Sequence, residues 1–465
     1  MSDYDYSSDI DYSDIETEGE KHAWDAAAEG DLEELRRMHE SGFPLHGSIA
    51  HGYYYVYATT LAAKYGHLDC LRYAHENGCD WDYETTSLAA RNGHLDCLRY
   101  AHENGCEWKK QWNEGWYCWP TTEAAKGGHL DCLRYAHENG CAWGDEQFGY
   151  ATNFAASNGH LDCLKYALEN GCPMDGRTNE SAAEGGHLDC LRYAHENGCE
   201  WNKNNFSCGN INSLSDDNSC YGCDECDYDK TPKAAAENGH LDCLRYAHEN
   251  GCLWNEETIK AAAAGGHLDC LRYAHENGLK FHNATTYLAA KNGHLDCLRY
   301  AHENGCEWAY NTTKGAAEGG HLDCLRYAYE HGCKWHKETT KFAAEKGHLD
   351  CLHYANENGC KWDIETTYRA AENGHLNCLS YAYENGCKFQ RIWGKWPIDV
   401  ATSKDCLLYL IEKKCPYNEN DKYIVEKINQ IKKDIETKAK QKCNKNSLEN
   451  VLNDNVINHV INKYI

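Results

Sequence analysis

Eleven histidines in this chain stand three residues ahead of a cysteine, from His67/Cys70 and His94/Cys97 to His375/Cys378, and ten of them sit in the string Gly-His-Leu-Asp-Cys. Imidazole and thiolate are zinc's preferred ligands, so a ladder of metal sites is the first chemistry to weigh. A single zinc takes four ligands at about 2.0–2.3 Å, and one His/Cys pair per copy supplies only two. Equivalent cysteines on helices stacked about 8–10 Å apart also lie beyond the ~7 Å Cα separation that a disulfide spans. The pairs therefore read as packing, with cysteine as a small buried hydrophobe and histidine as a cap or an inter-repeat hydrogen-bonding group.

One thiol cluster falls outside that rhythm. Cys208, Cys220, Cys223 and Cys226 lie within 19 residues of each other. Four thiolates could enclose a structural zinc that staples a long polar loop. The alternative is an incidentally cysteine-rich insertion, and the chain is expected to need no cofactor. A second non-repeat group, Trp112, Trp116 and Trp119, suggests an exposed aromatic contact patch. No Gly-x-Ser-x-Gly elbow, phosphate loop, His-Glu-x-x-His or dinucleotide fingerprint is present. The acid, base and nucleophile side chains recur identically from copy to copy, whereas a catalytic site is built once. This points to a scaffold and not to an enzyme.

The elements that carry these residues follow from the repeat. Gly66, Gly93, Gly128, Gly159, Gly186, Gly239, Gly266, Gly293, Gly320, Gly347 and Gly374 open successive copies; seven intervals are 27 residues and the others are 35, 31 and 53. Degenerate copies at 27–32 and 405–410 bring the expected total to about thirteen units, with atypical ends that meet water. In one clean unit, Thr85-Thr86 are expected to cap a first helix through Leu88, Ala89 and Ala90, which Gly93 ends. A second helix then runs from Leu95 to Glu103. Its stripe of Leu95, Leu98 and Ala101 (Leu268 at the equivalent position further on) should face the neighbouring layers, and Asn104-Gly105 should end it. Neither helix is long enough to stand alone, so stacking must hold the array. The row Trp81, Trp108, Trp143, Trp201, Trp254, Trp308, Trp335 and Trp362 recurs with the repeat, so it too reads as packing beneath the return loops.

The unit Ala-Ala-x-x-Gly-His-Leu-Asp-Cys-Leu-Arg-Tyr-Ala-His-Glu-Asn-Gly-Cys-x-Trp resembles the core of an ankyrin repeat across residues 21–416. The resemblance implies an all-α, ankyrin-like helix-turn-helix solenoid. An ankyrin unit has about 33 residues and a β-turn finger. The 27-residue period here therefore implies reduced fingers. Short arrays rich in Cys, Tyr and His look most like the ankyrin proteins of giant DNA viruses, and the Asn/Lys/Ile-rich tail suits an AT-rich genome. In the family, the residues that flank the Ala-Ala pair line a partner-facing groove. By resemblance, the partner-binding residues are Lys64, Tyr65, Arg91, Asn92, Lys126, Tyr287, Lys314, Lys341 and Tyr368, joined by the tryptophans of the 109–119 insert.

Charge narrows the partners. Against 73 Asp+Glu the chain carries only 46 Lys+Arg, a net −27. Phosphate-backbone binding depends on cations, so nucleic acid is excluded as a default and a basic protein partner is expected. No apolar run is long enough for a membrane span, and the first 20 residues, with eight acidic and no basic side chains, lack the features of a signal peptide and are expected to be disordered. The expectation is a cytoplasmic monomer, in host cytoplasm if viral. Its parts are an acidic tail (1–20), a repeat array (21–416) with inserts near 109–119 and 203–232, and a helical tail (417–465) with Ile424, Ile428, Ile431 and Ile435 along one face. The leading function is a protein–protein interaction scaffold that binds host or viral proteins. The alternative is a substrate adaptor that recruits a ubiquitin ligase through the C-terminal tail.

Overall fold

The computed structural model describes residues 22–49, 54–82, 84–108, 119–145, 148–201 and 229–418, together with 422, 424–430 and 433. The acidic segment 1–20, Trp112, Trp116, the cluster Cys208, Cys220, Cys223 and Cys226, and Ile431 and Ile435 lie outside these residues. Thirteen helix pairs are present among the described residues, from Ala23–Glu29 with Leu32–Glu40 to Pro397–Val400 with Lys404–Glu412. They fall into two compact units, the first of residues 1–235 and 242–253, the second of 236–241 and 254–465. Within each unit first helices pack on first helices and second on second. No helix among the described residues is long and apolar enough to cross a membrane.

The sequence explains the closeness of the layers. Every first helix before Pro397–Val400 carries fully buried alanines, such as Ala89 and Ala90 or Ala343 and Ala344, and these small side chains let neighbouring backbones approach. The threonine pair has a different role from the capping expected of it. The N-cap of the Thr85–Arg91 helix is Glu84, which makes no side-chain cap, and Thr85 and Thr86 are both fully buried. The threonines tie layers together instead: Thr60 Oγ1 meets Thr85 Oγ1 at 3.0 Å, and Thr340 Oγ1 meets Thr366 Oγ1 at 3.1 Å. In these layers, as at Thr286/Thr312 and Thr313/Thr339, one hydroxyl of the threonine pair reaches across to a hydroxyl of the adjacent layer.

The second helix reads Leu-Asp-Cys-Leu-Arg-Tyr-Ala-His-Glu in most layers, and its core is narrower than the expected stripe. Cys270 is 1% exposed, and Leu271 and Ala274 are fully buried, but Leu268, expected to face both neighbours, is only half-buried. The first leucine lies at the helix's opening turn, beside solvent. The helix ends as expected, with the Asn77 side chain donating to the Tyr73 carbonyl at 2.8 Å and Gly78 in the left-handed region at φ +86°.

Histidine and glycine repeat together because they touch. His67 Nε2 lies 3.1 Å from the Ala28 carbonyl of the preceding layer, and His160 Nε2 3.2 Å from that of Lys126. Each ring lies over the left-handed glycine that ends the preceding first helix: a Cβ on Gly30 would meet His67 Nδ1 at 2.5 Å. The histidines thus make inter-repeat hydrogen bonds, one of the two roles expected of them.

A second cluster recurs at the far end of the second helix. His102 stacks on Trp108 with ring centroids 3.9 Å apart, and both meet Tyr135 of the next layer edge-on. The Arg99 guanidinium lies 5.5 Å from the Tyr135 ring centroid, and Trp108 Nε1 donates to the Asn139 carbonyl at 3.0 Å. The tryptophan row is therefore packing, half-buried and bonded to the next layer.

Hairpins occur where the chain exceeds its period. Strands β1 (His46–Ile49) and β2 (Tyr54–Tyr57) pair antiparallel, as do β3 (Gly144–Asp145) and β4 (Gly149–Tyr150), and Ile392 bridges Lys395. The fingers are reduced to these places. Beyond the last pair, residues 424–430 are helical, with Ile424 and Ile428 buried and Lys427 Nζ 3.3 Å from the Ala401 carbonyl.

Candidate functional site

The varied positions that flank the Ala-Ala pairs lie on the first helices, and their cations are already engaged. In the first unit Lys64 stands over the Tyr65 ring at 5.3 Å, Tyr65 is 43% exposed, and Arg91 reaches Glu123 of the next layer at 3.7 Å. Asn92 is exposed and donates to the Leu88 carbonyl at 2.9 Å, while Lys126 is half-buried and offers its carbonyl to His160. Trp119 is half-buried and serves as the backbone N-cap of Pro120–Gly127; its expected companions Trp112 and Trp116 lie outside the described residues.

In the second unit the same register becomes a zipper. Lys291 pairs with Glu318 (3.2 Å), Lys314 with Glu338 (3.7 Å), and Lys341 with both Glu338 (3.4 Å) and Glu365 (3.6 Å). Arg369 takes Glu365 at 3.0 Å and Glu372 at 2.8 Å. Burial pushes the Glu338 carboxyl upward, but Lys341 and Lys314 outweigh it and hold the group below its ordinary value. The Phe342 ring lies beneath Lys314 at 4.2 Å and Lys341 at 5.2 Å, and Tyr287 lies 5.9 Å from Lys291.

One expected contact residue is not accessible. Tyr368 is only 3% exposed, because Trp393 meets its ring edge-on at 6.0 Å and Arg369 lies 5.9 Å from it. Trp393, 70% exposed, takes the outer position. Phe342, Glu338, Glu365, Arg369 and Trp393 were missed from sequence. The first four flank the positions that were singled out. Trp393 lies in Arg391-Ile392-Trp393-Gly394-Lys395-Trp396, a departure from the repeat that was its only signal.

The cysteines behave as core. All 23 described cysteines are free and buried. Burial first, with Asp96 adding to it, pushes the Cys97 thiol up to about 12, and burial drives Cys141 to about 11. Such thiols stay protonated at neutral pH, so they are poor nucleophiles and poor ligands. Among the described residues no three His, Cys, Asp or Glu side chains come together as a metal site.

Residues 121–205 match the family of ankyrin repeats, in three copies. The chain carries ankyrin repeats. The helix pairs outside that span repeat its strings and its hydrogen bonds, so the ankyrin architecture extends along the array. A crystal structure of the human ASB11 ankyrin repeat domain is similar at 19% identity and a TM-score of 0.34, covering 39% of this chain and 96% of that one. No curated protein matches the chain. Ankyrin repeats indicate a protein–protein interaction scaffold.

Proposed function

We propose that this chain is a non-enzymatic, monomeric scaffold that binds host or viral proteins in the cytoplasm through the face of its first helices. The observation that carries the reading is the contrast within each layer. The second helix is nearly invariant and spent on packing, while the first-helix face varies and displays Tyr65, Tyr287 and Phe342 beside paired charges. Because the lysines there already pair with glutamates, the partner is selected by shape and aromatic contact as much as by the net charge. Viral origin belongs to the same proposal and rests on the short Cys/Tyr/His-rich period and the Asn/Lys/Ile-rich tail. The ligase-adaptor alternative gains no support from the tail, whose Ile424 and Ile428 are buried within this chain. The proposal includes no cofactor; about one zinc per chain that disappears on deleting residues 203–232 would instead assign a metal to Cys208, Cys220, Cys223 and Cys226.

The test is affinity capture from expressing cells with the wild type, a Tyr65→Ala/Tyr287→Ala/Phe342→Ala variant, and an Asp96→Ala/Asp296→Ala variant of the second helices. Specific partners should be lost from the first variant and kept by the second. The opposite pattern would overturn the assignment of the face.

A further inference from the structure

The return loops of the two units differ in sign. Among the described residues, the exposed charges on the loops of the first unit are Asp80, Glu107 and Glu200. In the second unit the loops at 279–283, 306–311, 333–338, 360–365 and 387–396 expose Lys280, Lys334, Lys337, Lys361, Lys388, Arg391 and Lys395 against the single anion Glu307. The half-buried carboxylates nearby are occupied: Glu338 and Glu365 hold the first-helix cations, and Asp363 Oδ1 accepts from the Glu365 backbone N–H at 2.8 Å. Exposed carboxylates border these loops at the helix ends, at Glu276, Glu303, Glu330, Glu357 and Glu384, so in a chain of net −27 the basic strip is confined to the loops themselves.

The strip is also apolar and rigid. Tyr310 is 80% exposed, Ile364 64% and Trp393 70%. Tyr310, Lys337, Ile364 and Arg391 follow one another at the 27-residue period, so they occupy one register on successive loops. Threonines of the preceding layer fix the loops: Thr313 Oγ1 donates to the Lys334 carbonyl and accepts from His336 N, and Thr340 and Thr367 donate to the carbonyls of Lys361 and Lys388. Trp393 sits at the tip of a two-residue turn at φ +47°, with Gly394 at +82°. That turn favours Asn-Gly, and an aromatic residue in the left-handed region is strained. The indole rests 4.9 Å from the Arg369 guanidinium and edge-on to Tyr368, with most of its surface exposed. Strain of this kind gathers at binding positions.

We infer that this return-loop edge of the second unit docks an extended, acidic segment of a partner protein that also carries apolar side chains, an inference that rests on the protein-binding reading above. Layers are spaced roughly 10 Å apart and an extended chain rises roughly 3.3 Å per residue, so the segment presents a carboxylate about every third residue. A nucleic acid fits less well. Ile364 offers no ring for a base to stack on, and the surrounding negative field repels a long phosphate chain.

The experiment uses the full chain and fluorescence anisotropy with three labelled probes: a 15-residue peptide with Glu at every third position and Leu and Tyr between, the same peptide with Lys for Glu, and a 15-nucleotide oligothymidylate. The acidic peptide should bind saturably and the basic one should not. Lys334→Glu/Lys361→Glu/Lys388→Glu should weaken binding roughly tenfold, the worth of three exposed ion pairs. Trp393→Ala should weaken it several-fold, and circular dichroism should show unchanged helicity. The milder Lys334→Gln/Lys361→Gln/Lys388→Gln variant keeps the test open if charge reversal disturbs folding. Absence of saturable binding, equal affinity for the triple variant, or tighter binding of the oligothymidylate each overturns the inference. If cellular partners still depend on the first-helix face in that case, the strip alone is wrong and the scaffold reading stands.

Discussion

The contact between histidine and glycine can be isolated by comparing two glycines of the second unit. Gly293 lies at φ +83° and Gly305 at +89°, so alanine is strained at both, by about 1–2 kcal/mol. Their surroundings differ. A Cβ on Gly293 would lie 2.5 Å from His321 Nδ1, whereas one on Gly305 would meet nothing within 4 Å. The His321 ring also bonds the Lys291 carbonyl, so moving it aside forfeits that bond as well as its packing. Losing one such hydrogen bond costs about 0.5–1.5 kcal/mol. Gly305→Ala is therefore expected to destabilise by about 1–2 kcal/mol and Gly293→Ala by about 2–4 kcal/mol. Urea titration of the full chain, followed by far-ultraviolet circular dichroism, measures both. In the double variant Gly293→Ala/His321→Ala the clash is gone, so its loss should be clearly less than the sum of the single losses. Equal losses at the two glycines, or strict additivity in the double variant, would refute the proposed contact.

Four further outcomes follow from the same geometry. Leu271→Ala, at a fully buried site, should cost about 2–5 kcal/mol in the same titration and Leu268→Ala clearly less; the reverse order would invalidate the packing register. Phe281 replaces the tryptophan of other layers and lacks the indole N–H that Trp81 and Trp308 donate to the next layer. Phe281→Trp should therefore raise stability by about 0.5–1.5 kcal/mol, read as a higher melting temperature, and an unchanged melt would count against that role for the indole. The 23 buried thiols among the described residues should resist a thiol reagent at pH 8 and become reactive in denaturant; rapid labelling of Cys97 or Cys270 in the folded chain, located by peptide mass mapping, would contradict their burial. Burial, and in several cases neighbouring imidazoles, lowers His94, His102, His129, His267, His302, His321 and His336 below the ordinary 6.5. The unfolded chain then takes up protons first, so this contribution to stability is complete above pH 6.5 and falls as pH drops through the lowered native values. Urea midpoints that rise between pH 7.5 and 5.5 would have the wrong sign.

The helix pairs, their number and the glycine ends were legible in the sequence because each rests on a local rule copied eleven or more times. Alanine pairs, Asn-Gly ends and the leucine spacing dictate much the same local structure wherever they stand. The threonine pair was misread for the complementary reason. Thr85-Thr86 look like caps from within one copy, and only the adjacent layer, 25 residues away for Thr60 and Thr85, reveals the hydroxyl partner. Tyr368 failed in the same way: its position matches that of Tyr287, but Trp393, from a hairpin the repeat does not contain, covers it. What self-similarity hides is whatever depends on the neighbouring copy.

The return-loop charge shows the converse. The residue that precedes the tryptophan or phenylalanine of each return loop is unconstrained by packing, since its side chain is exposed and only its carbonyl is held, as Thr313 holds that of Lys334. A position free of packing can follow other demands, and here its charged occupants are Asp80, Glu107 and Glu200 in the first unit, beside the uncharged Ala142 and Leu253, but Lys280, Lys334, Lys361 and Lys388 in the second, with Glu307 the exception. Net charge averages the two sets away and suggests a basic partner for the whole chain. Resolved by position, the same lysines point to an acidic partner for one edge of one unit, and the first-helix lysines, neutralised by Glu318, Glu338 and Glu365, point to neither. In an array of near-identical layers, recognition is written in the exposed positions that packing leaves free, and the sign of the whole is a poor guide to the sign of the site.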